Sequence, residues 1–217
     1  MNSPLADMTR PSAGDRRPSD WSPSLQVPRH TLWLPLGSEK PLHEIAAQGA
    51  LRILGTGTPE DHLEKFARVV RDGTKSSRER GAMMGGLIFF PDYHRLPPIA
   101  TVDIFGYHPD EPGEPGSLEV LREHFGTPGK DSAGPVEVTD LELPAGPAIR
   151  FHRRFLQKQR RDPVAYQWEE VTFAVRPPQI GDCVVVTLCW IESAFSQALT
   201  CAADAMAPTL AITIDSA

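Results

Sequence analysis

The sequence predicts an α+β domain: a mostly antiparallel sheet, a meander of long strands, with helices packed on its faces. Three observations predict it. The stretch Cys183-Val-Val-Val-Thr-Leu-Cys-Trp-Ile191 is apolar or small on both strand faces, as a central strand covered on both sides must be. Strand-like runs at 136–143, 148–156 and 164–175 lead into it through connections too short for a parallel crossover. A helical run over 194–207 follows, with Phe195, Ala198, Leu199, Ala202 and Met206 as its apolar stripe and Pro208 as its stop. Burying one large aliphatic or aromatic side chain contributes roughly 1.5–3 kcal/mol, so the 183–191 strand supplies a major share of the core.

Each element has its own local reason. Residues 1–28 hold five prolines among Ser, Asp, Arg and Gly, a composition that cannot offset the cost of ordering itself. They are expected to be a disordered tail, with Trp21 either a docking residue or packed back on the domain, which then spans 29–217. Residues 30–36 form a short apolar edge segment ended by Pro35. Leu42, Ile45, Ala46, Gly49 and Ile53 recur at helical spacing, which predicts a helix over 40–50 passing into a strand at 50–54.

Thr58-Pro59-Glu60-Asp61 reads as a helix start, Leu63, Phe66, Ala67 and Val70 as its stripe, and Gly73 as its stop. The polar residues 74–80 then form a loop or a frayed continuation. Residues 83–90 and 98–106 read as an antiparallel hairpin, with Gly85-Gly86 marking a bulge or a close backbone approach. Ser117 caps a short helix on Leu118, Leu121 and Phe125, ended by Gly126. Leu210, Ile212 and Ile214 alternate as a last strand.

The order of helix, hairpin, short helix, long meander and closing helix resembles the Mog1/PsbP-like fold, including its bacterial members of unknown role. The stretches that carry the likeness are Val184 to Met206 and the strands Arg150–Phe155 and Trp168–Val175. The resemblance implies an α/β/α-type sandwich around the sheet. It also implies a non-catalytic adaptor, assembly factor or secretion-associated protein, and it transfers no functional residue.

Composition narrows the setting. The 217 residues suit one large or two small domains, and a net charge of −6 argues against general nucleic-acid affinity. Three cysteines make no disulfide framework, and Cys183 and Cys189, six apart on one strand, lie roughly 20 Å from each other. A reducing compartment fits. The first residues lack the apolar core of a signal peptide and no run is long enough to span a bilayer, so a cytoplasmic protein without membrane insertion is expected.

The chemistry-bearing clusters are few. Asp92/His94 and His108/Asp110 have metal-ligand spacing, but the hairpin holds the pairs at opposite ends of a strand about 33 Å long. Glu169 and Glu170 are adjacent on a strand and point to opposite faces, so they cannot act on one substrate. Cys189 sits among Val, Leu and Trp, where a thiol is inert. Gly55-Thr-Gly57 lacks phosphate-loop spacing.

The densest cationic run is Arg150, His152, Arg153, Arg154, Lys158, Arg160 and Arg161. It reads as a solvated outer face or as a docking surface for an acidic protein partner. The expectation is therefore a non-enzymatic protein-binding or adaptor domain, needing no cofactor and no metal. The alternative is a carrier of an apolar small molecule, in a cavity between sheet and closing helix lined by Met83, Met84, Phe89, Phe90, Trp168 and Trp190.

Overall fold

Val184, Val186, Leu188 and Trp190 stand at the middle of a seven-stranded, wholly antiparallel sheet. The computed structural model describes residues 21–37, 41–89, 98–108, 116–158 and 165–214. The strands are β1 (Trp21–Ser24), β2 (Thr31–Trp33), β3 (Met84–Ile88), β4 (Ala100–Tyr107), β5 (Glu137–Leu143), β6 (Gly146–Lys158), β7 (Ala165–Val175), β8 (Cys183–Trp190) and β9 (Ala211–Ile214). The large sheet runs β2-β3-β4-β8-β7-β6-β5, and β1 pairs with β9 in a separate two-stranded sheet. The helices are α1 (Leu42–Leu54), α2 (Glu60–Glu79), α3 (Leu118–Gly126) and α4 (Ser196–Met206).

β8 is fourth of seven strands, so both its faces are covered. On one face Val184, Val186, Leu188 and Trp190 pack with Leu199, Ala203 and Met206 of α4 and with Trp21 of β1. On the other, Cys183 and Val185 pack with Leu121 and Phe125 of α3 and with Ile149 and Phe151 of β6. Further along that second face, Leu32 and Leu87 meet Phe66 and Val70 of α2 and Ala46 and Ala50 of α1. Helices thus lie on both faces of an α+β sandwich.

Four local expectations change. The chain from Trp21 is built into the fold rather than trailing from it, because Trp21 is 4% exposed and its Nε1 donates to Asp182 Oδ2 at 2.8 Å. The tail reading of residues 1–20 lies outside the described residues. The segment 50–54 continues α1 as helix and is not a strand. α2 runs through Gly73 to Glu79; a Cβ at Gly73 would lie 3.1 Å from Leu87 Cδ2, so the bare glycine lets helix and strand close together. The buried stripe of α2 continues as Thr74 and Ser77, polar residues that break the apolar pattern without breaking the helix.

At the start of α2 the N-cap is Pro59 and not Thr58, whose Oγ1 donates back to Gly55 O at 3.1 Å. The start of α3 and the glycine pair follow the sequence reading. Ser117 Oγ accepts from Val120 N at the start of α3. The β3–β4 register is unbroken, so Gly85 and Gly86 mark a close approach and not a bulge. A Cβ on Gly85 would meet Ser77 Oγ at 2.8 Å and Asp103 Oδ1 at 2.9 Å. Gly55 and Gly57, at φ of 87° and 83°, make the left-handed turn between α1 and α2 that other residues adopt at a cost.

Candidate functional site

Adjacent strand residues face opposite ways, and at Glu169-Glu170 that rule builds two polar clusters back to back. Glu169 lies opposite Trp190 and Arg154, on the α4 face. Glu170 lies opposite Cys189 and Arg153, on the α3 face. Both carboxylates are buried, at 5% and 3% exposure. A carboxylate at that depth needs a charged partner and filled hydrogen bonds. β6 supplies the charge in each case.

On the α4 face Glu169 is a hub. His152 Nε2 lies 2.7 Å from Glu169 Oε1, and Arg154 Nε donates to the same oxygen at 3.2 Å. Ser196, at the start of α4, donates its hydroxyl to Oε2, and Trp190 Nε1 donates to Ser196 Oγ at 3.2 Å. The other imidazole nitrogen, His152 Nδ1, lies 3.4 Å from Glu137 Oε2 on β5. Beside it Arg150 Nε donates to Asp204 Oδ1 of α4 at 2.7 Å. Burial alone pushes the Glu169 carboxyl up. The bonds from Ser196 and His152 and the Arg154 charge outweigh it and hold the group below the usual carboxyl value.

On the α3 face Arg153 Nε donates to Glu170 Oε1 at 2.7 Å, and Thr172 Oγ1 donates to the same oxygen at 3.0 Å. Thr172 and Thr187 share a hydrogen bond of 3.1 Å. The Arg153 guanidinium lies 5.4 Å from the Phe125 ring centroid and 5.8 Å from that of Phe155, which stacks on Trp168. One strand further across, Asp103 accepts from Ser77 Oγ at 2.7 Å and pairs with Arg80. A polar strip therefore separates the two apolar clusters on that face.

The predicted cationic surface is consequently divided and largely neutralised. Arg150 and His152 are side chains of 14% and 11% exposure held by carboxylates, and Arg153 is buried on the opposite face. Arg154 is the half-exposed member and also pairs with Glu169. Lys158 ends β6, and its side chain, with Arg160 and Arg161, lies outside the described residues. The period-2 alternation does place Arg150, His152 and Arg154 on one face, as the sequence indicates. The reading of that face as solvated holds at Arg154 and fails at Arg150 and His152, which Asp204, Glu137 and Glu169 cover from three other elements.

The chemistry open to these groups is limited by their pairing. Both nitrogens of His152 face carboxylates, and the Ser196 hydroxyl is committed to Glu169 rather than to a neutral base, so no nucleophile–base pair is assembled here. Burial pushes the Cys183 thiol up to about 11. Burial likewise pushes Cys189 well above its ordinary value, and the Glu170 carboxylate adds to it. All three cysteines are free.

Among the described residues, no three His, Cys, Asp or Glu side chains are placed to hold a metal ion. His108 bonds Asp182 Oδ1 at 2.8 Å, while Asp92, His94 and Asp110 lie outside the described residues. The side chains proposed to line one carrier cavity are spread over both faces. Trp190 packs with α4, Phe89 packs with α1 and α2 on the far face, and Trp168 stacks on Phe155. Phe90 is outside the described residues. The space under α4 is filled by Leu188, Trp190, Leu199, Ala203 and Met206, each 5% exposed or less. A shallow pocket of about 120 Å³ lies beside Glu137, His152 and Arg154, and another of about 280 Å³ lies at the α1–α2 elbow beside Leu54, Pro59 and His62.

No helix of the described residues is long and apolar enough to cross a membrane. No protein-family model matches the chain, and no curated protein matches it. Among solved structures it is similar to LpqN of Mycobacterium tuberculosis, described as involved in cell envelope biogenesis. The identity is 14%, covering 93% of this chain and 87% of that one, with a TM-score of 0.46.

Proposed function

We propose that this chain is a non-enzymatic protein-binding domain, an adaptor or assembly factor, acting in a reducing compartment such as the cytoplasm. One observation carries the reading. Glu169, the carboxylate with the most chemistry around it, is saturated by His152, Arg154 and Ser196 from two other elements, so it locks elements together instead of facing a substrate. The likeness to Mog1/PsbP-like proteins belongs to the same proposal, supported by the order of elements and by helices on both sheet faces. Chemical cross-linking of the protein in its own cells, followed by mass spectrometry, tests it. A discrete partner recovered at fixed stoichiometry is expected. Turnover of a substrate by the purified chain, lost on Glu169→Gln, would overturn it. So would a stoichiometric small molecule in native mass spectrometry, which favours the carrier reading instead.

A further inference from the structure

The sheet has two edges, and they differ. β2 is three residues long, whereas β5 runs for seven, Glu137–Leu143, paired only with β6. Leu143 and Gly146 close the two-residue turn of the β5–β6 hairpin and so form its first hydrogen-bonded pair. Counting back in twos, Leu141, Thr139 and Glu137 also bond to β6. Val138, Asp140 and Glu142 therefore aim their N–H and C=O groups outward. The neighbouring strand agrees: Pro147, opposite Glu142, turns its carbonyl away from β5 to accept from Arg176 N at 2.9 Å.

The side chains along this edge sort by face. Val138, Asp140 and Glu142 lie on the α3 face and are all exposed, Val138 at 37%; Asp140 is paired with Arg122 of α3, so a basic segment meets Glu142 directly and must share or displace Arg122 at Asp140. Leu141 and Leu143 lie on the α4 face, half-buried against the apolar core. Resting on the protein-binding reading, we propose that β5 accepts an extended segment of a basic partner as an eighth strand. Its Lys or Arg residues sit on the α3 face beside Asp140 and Glu142. Its alternate apolar residues sit on the α4 face beside Leu141 and Leu143. Main-chain bonds to Val138, Asp140 and Glu142 hold it, and the side-chain alternation selects it. A second copy of β5 is a poor occupant. Antiparallel pairing about the middle of the strand sets Asp140 against Asp140, and like charges directly opposite destabilise a pair.

A capped, fluorescein-labelled peptide Val-Lys-Val-Lys-Val-Lys-Val tests this by anisotropy against the full chain. Binding is expected, with the Val138, Asp140 and Glu142 amides gaining protection from hydrogen exchange. Val138→Pro removes one outward N–H while keeping the edge charge and the β5–β6 ladder, and Pro is tolerated on an edge strand. It should keep the native circular dichroism and lose at least tenfold in affinity. N-methylating the peptide should do the same, and the paired variant Asp140→Lys with Glu142→Lys should weaken binding by tenfold or more. Binding that falls with salt but ignores Val138→Pro and N-methylation is charge attraction only and overturns strand addition. No binding overturns it too. So does a dimer in sedimentation that Val138→Pro dissolves, since the occupant is then a second copy. These outcomes leave the protein-binding reading to the cross-linking experiment, which does not depend on β5.

Discussion

Arg153 is clamped between Phe125 and Phe155 with its charge against Glu170, and the guanidinium is the counter-charge at the end of the buried Thr187–Thr172–Glu170 chain. Arg153→Leu leaves a carboxylate buried without its counter-charge, which costs about 3–5 kcal/mol. Urea denaturation should show that loss. The double variant Arg153→Leu with Glu170→Leu should recover most of it, because replacing both members of a buried pair is often close to neutral.

Glu169 answers to pH. Its folded-state carboxyl sits below its ordinary value of 4.5, so its stabilisation is fully present above that value and is lost as pH falls through the lower, folded value. Wild-type stability should therefore decline on acidification below pH 4.5, and Glu169→Gln should be less stable at pH 7 with a shallower acid slope. The opposite orientation of Glu169 and Glu170 was legible from the period-2 rule alone. Their partners were not. The 159–164 connection does not fix the β6–β7 register, and Ser196 approaches through the docking of α4 rather than through sequence spacing.

At the scale of elements, the meander, the hairpin, α3 and the α4 segment were readable because each is encoded locally, by alternation, short connections, a Ser cap or an apolar stripe, though α4 buries Leu199, Ala203 and Met206 and leaves the expected Ala198 exposed. The misreadings are places where packing overrides a local rule. Gly73 has the look of a helix stop, yet α2 runs through it; its missing Cβ leaves room for Leu87, and Thr74 and Ser77 extend the buried stripe in polar form. Thr74 Oγ1 donates to Val70 O at 2.7 Å, which makes that burial tolerable.

Gly85 shows the same logic from the strand side. Gly85→Val would drive a side chain into Ser77 and Asp103, at a cost of about 1–3 kcal/mol for overpacking. A lowered Tm with a disturbed Ser77–Asp103 bond is the expected result. At the other end of the chain, Trp21→Ala should cost about 3–5 kcal/mol, measured by equilibrium unfolding, because the ring fills the space over Gly106 and bonds Asp182. Proline-rich composition concealed this strand. Its anchor, one tryptophan, and its partner, β9, are almost two hundred residues apart in sequence.

Across the described residues, the buried charges are paired and the accessible thiol lies on the outside. The described arginines on β6 are engaged with carboxylates, and the long outer strand keeps exposed acids. The thiols run from inside to outside: Cys183 is buried, Cys189 half-buried and Cys201 exposed on α4. A thiol reagent at pH 7.5 should modify Cys201 quickly in the native protein and reach Cys183 only on unfolding. Two fast thiols besides Cys201 would contradict the packing around β8. Finally, β1 and β9 run antiparallel with Trp21 opposite Ile214, so the first and last described strands leave the body side by side. A tug applied to those two ends would peel their rungs open one after another, like a zip, instead of shearing them together. Force would thus dislodge the indole from its seat over Gly106 while the seven-stranded sheet behind it still stood whole.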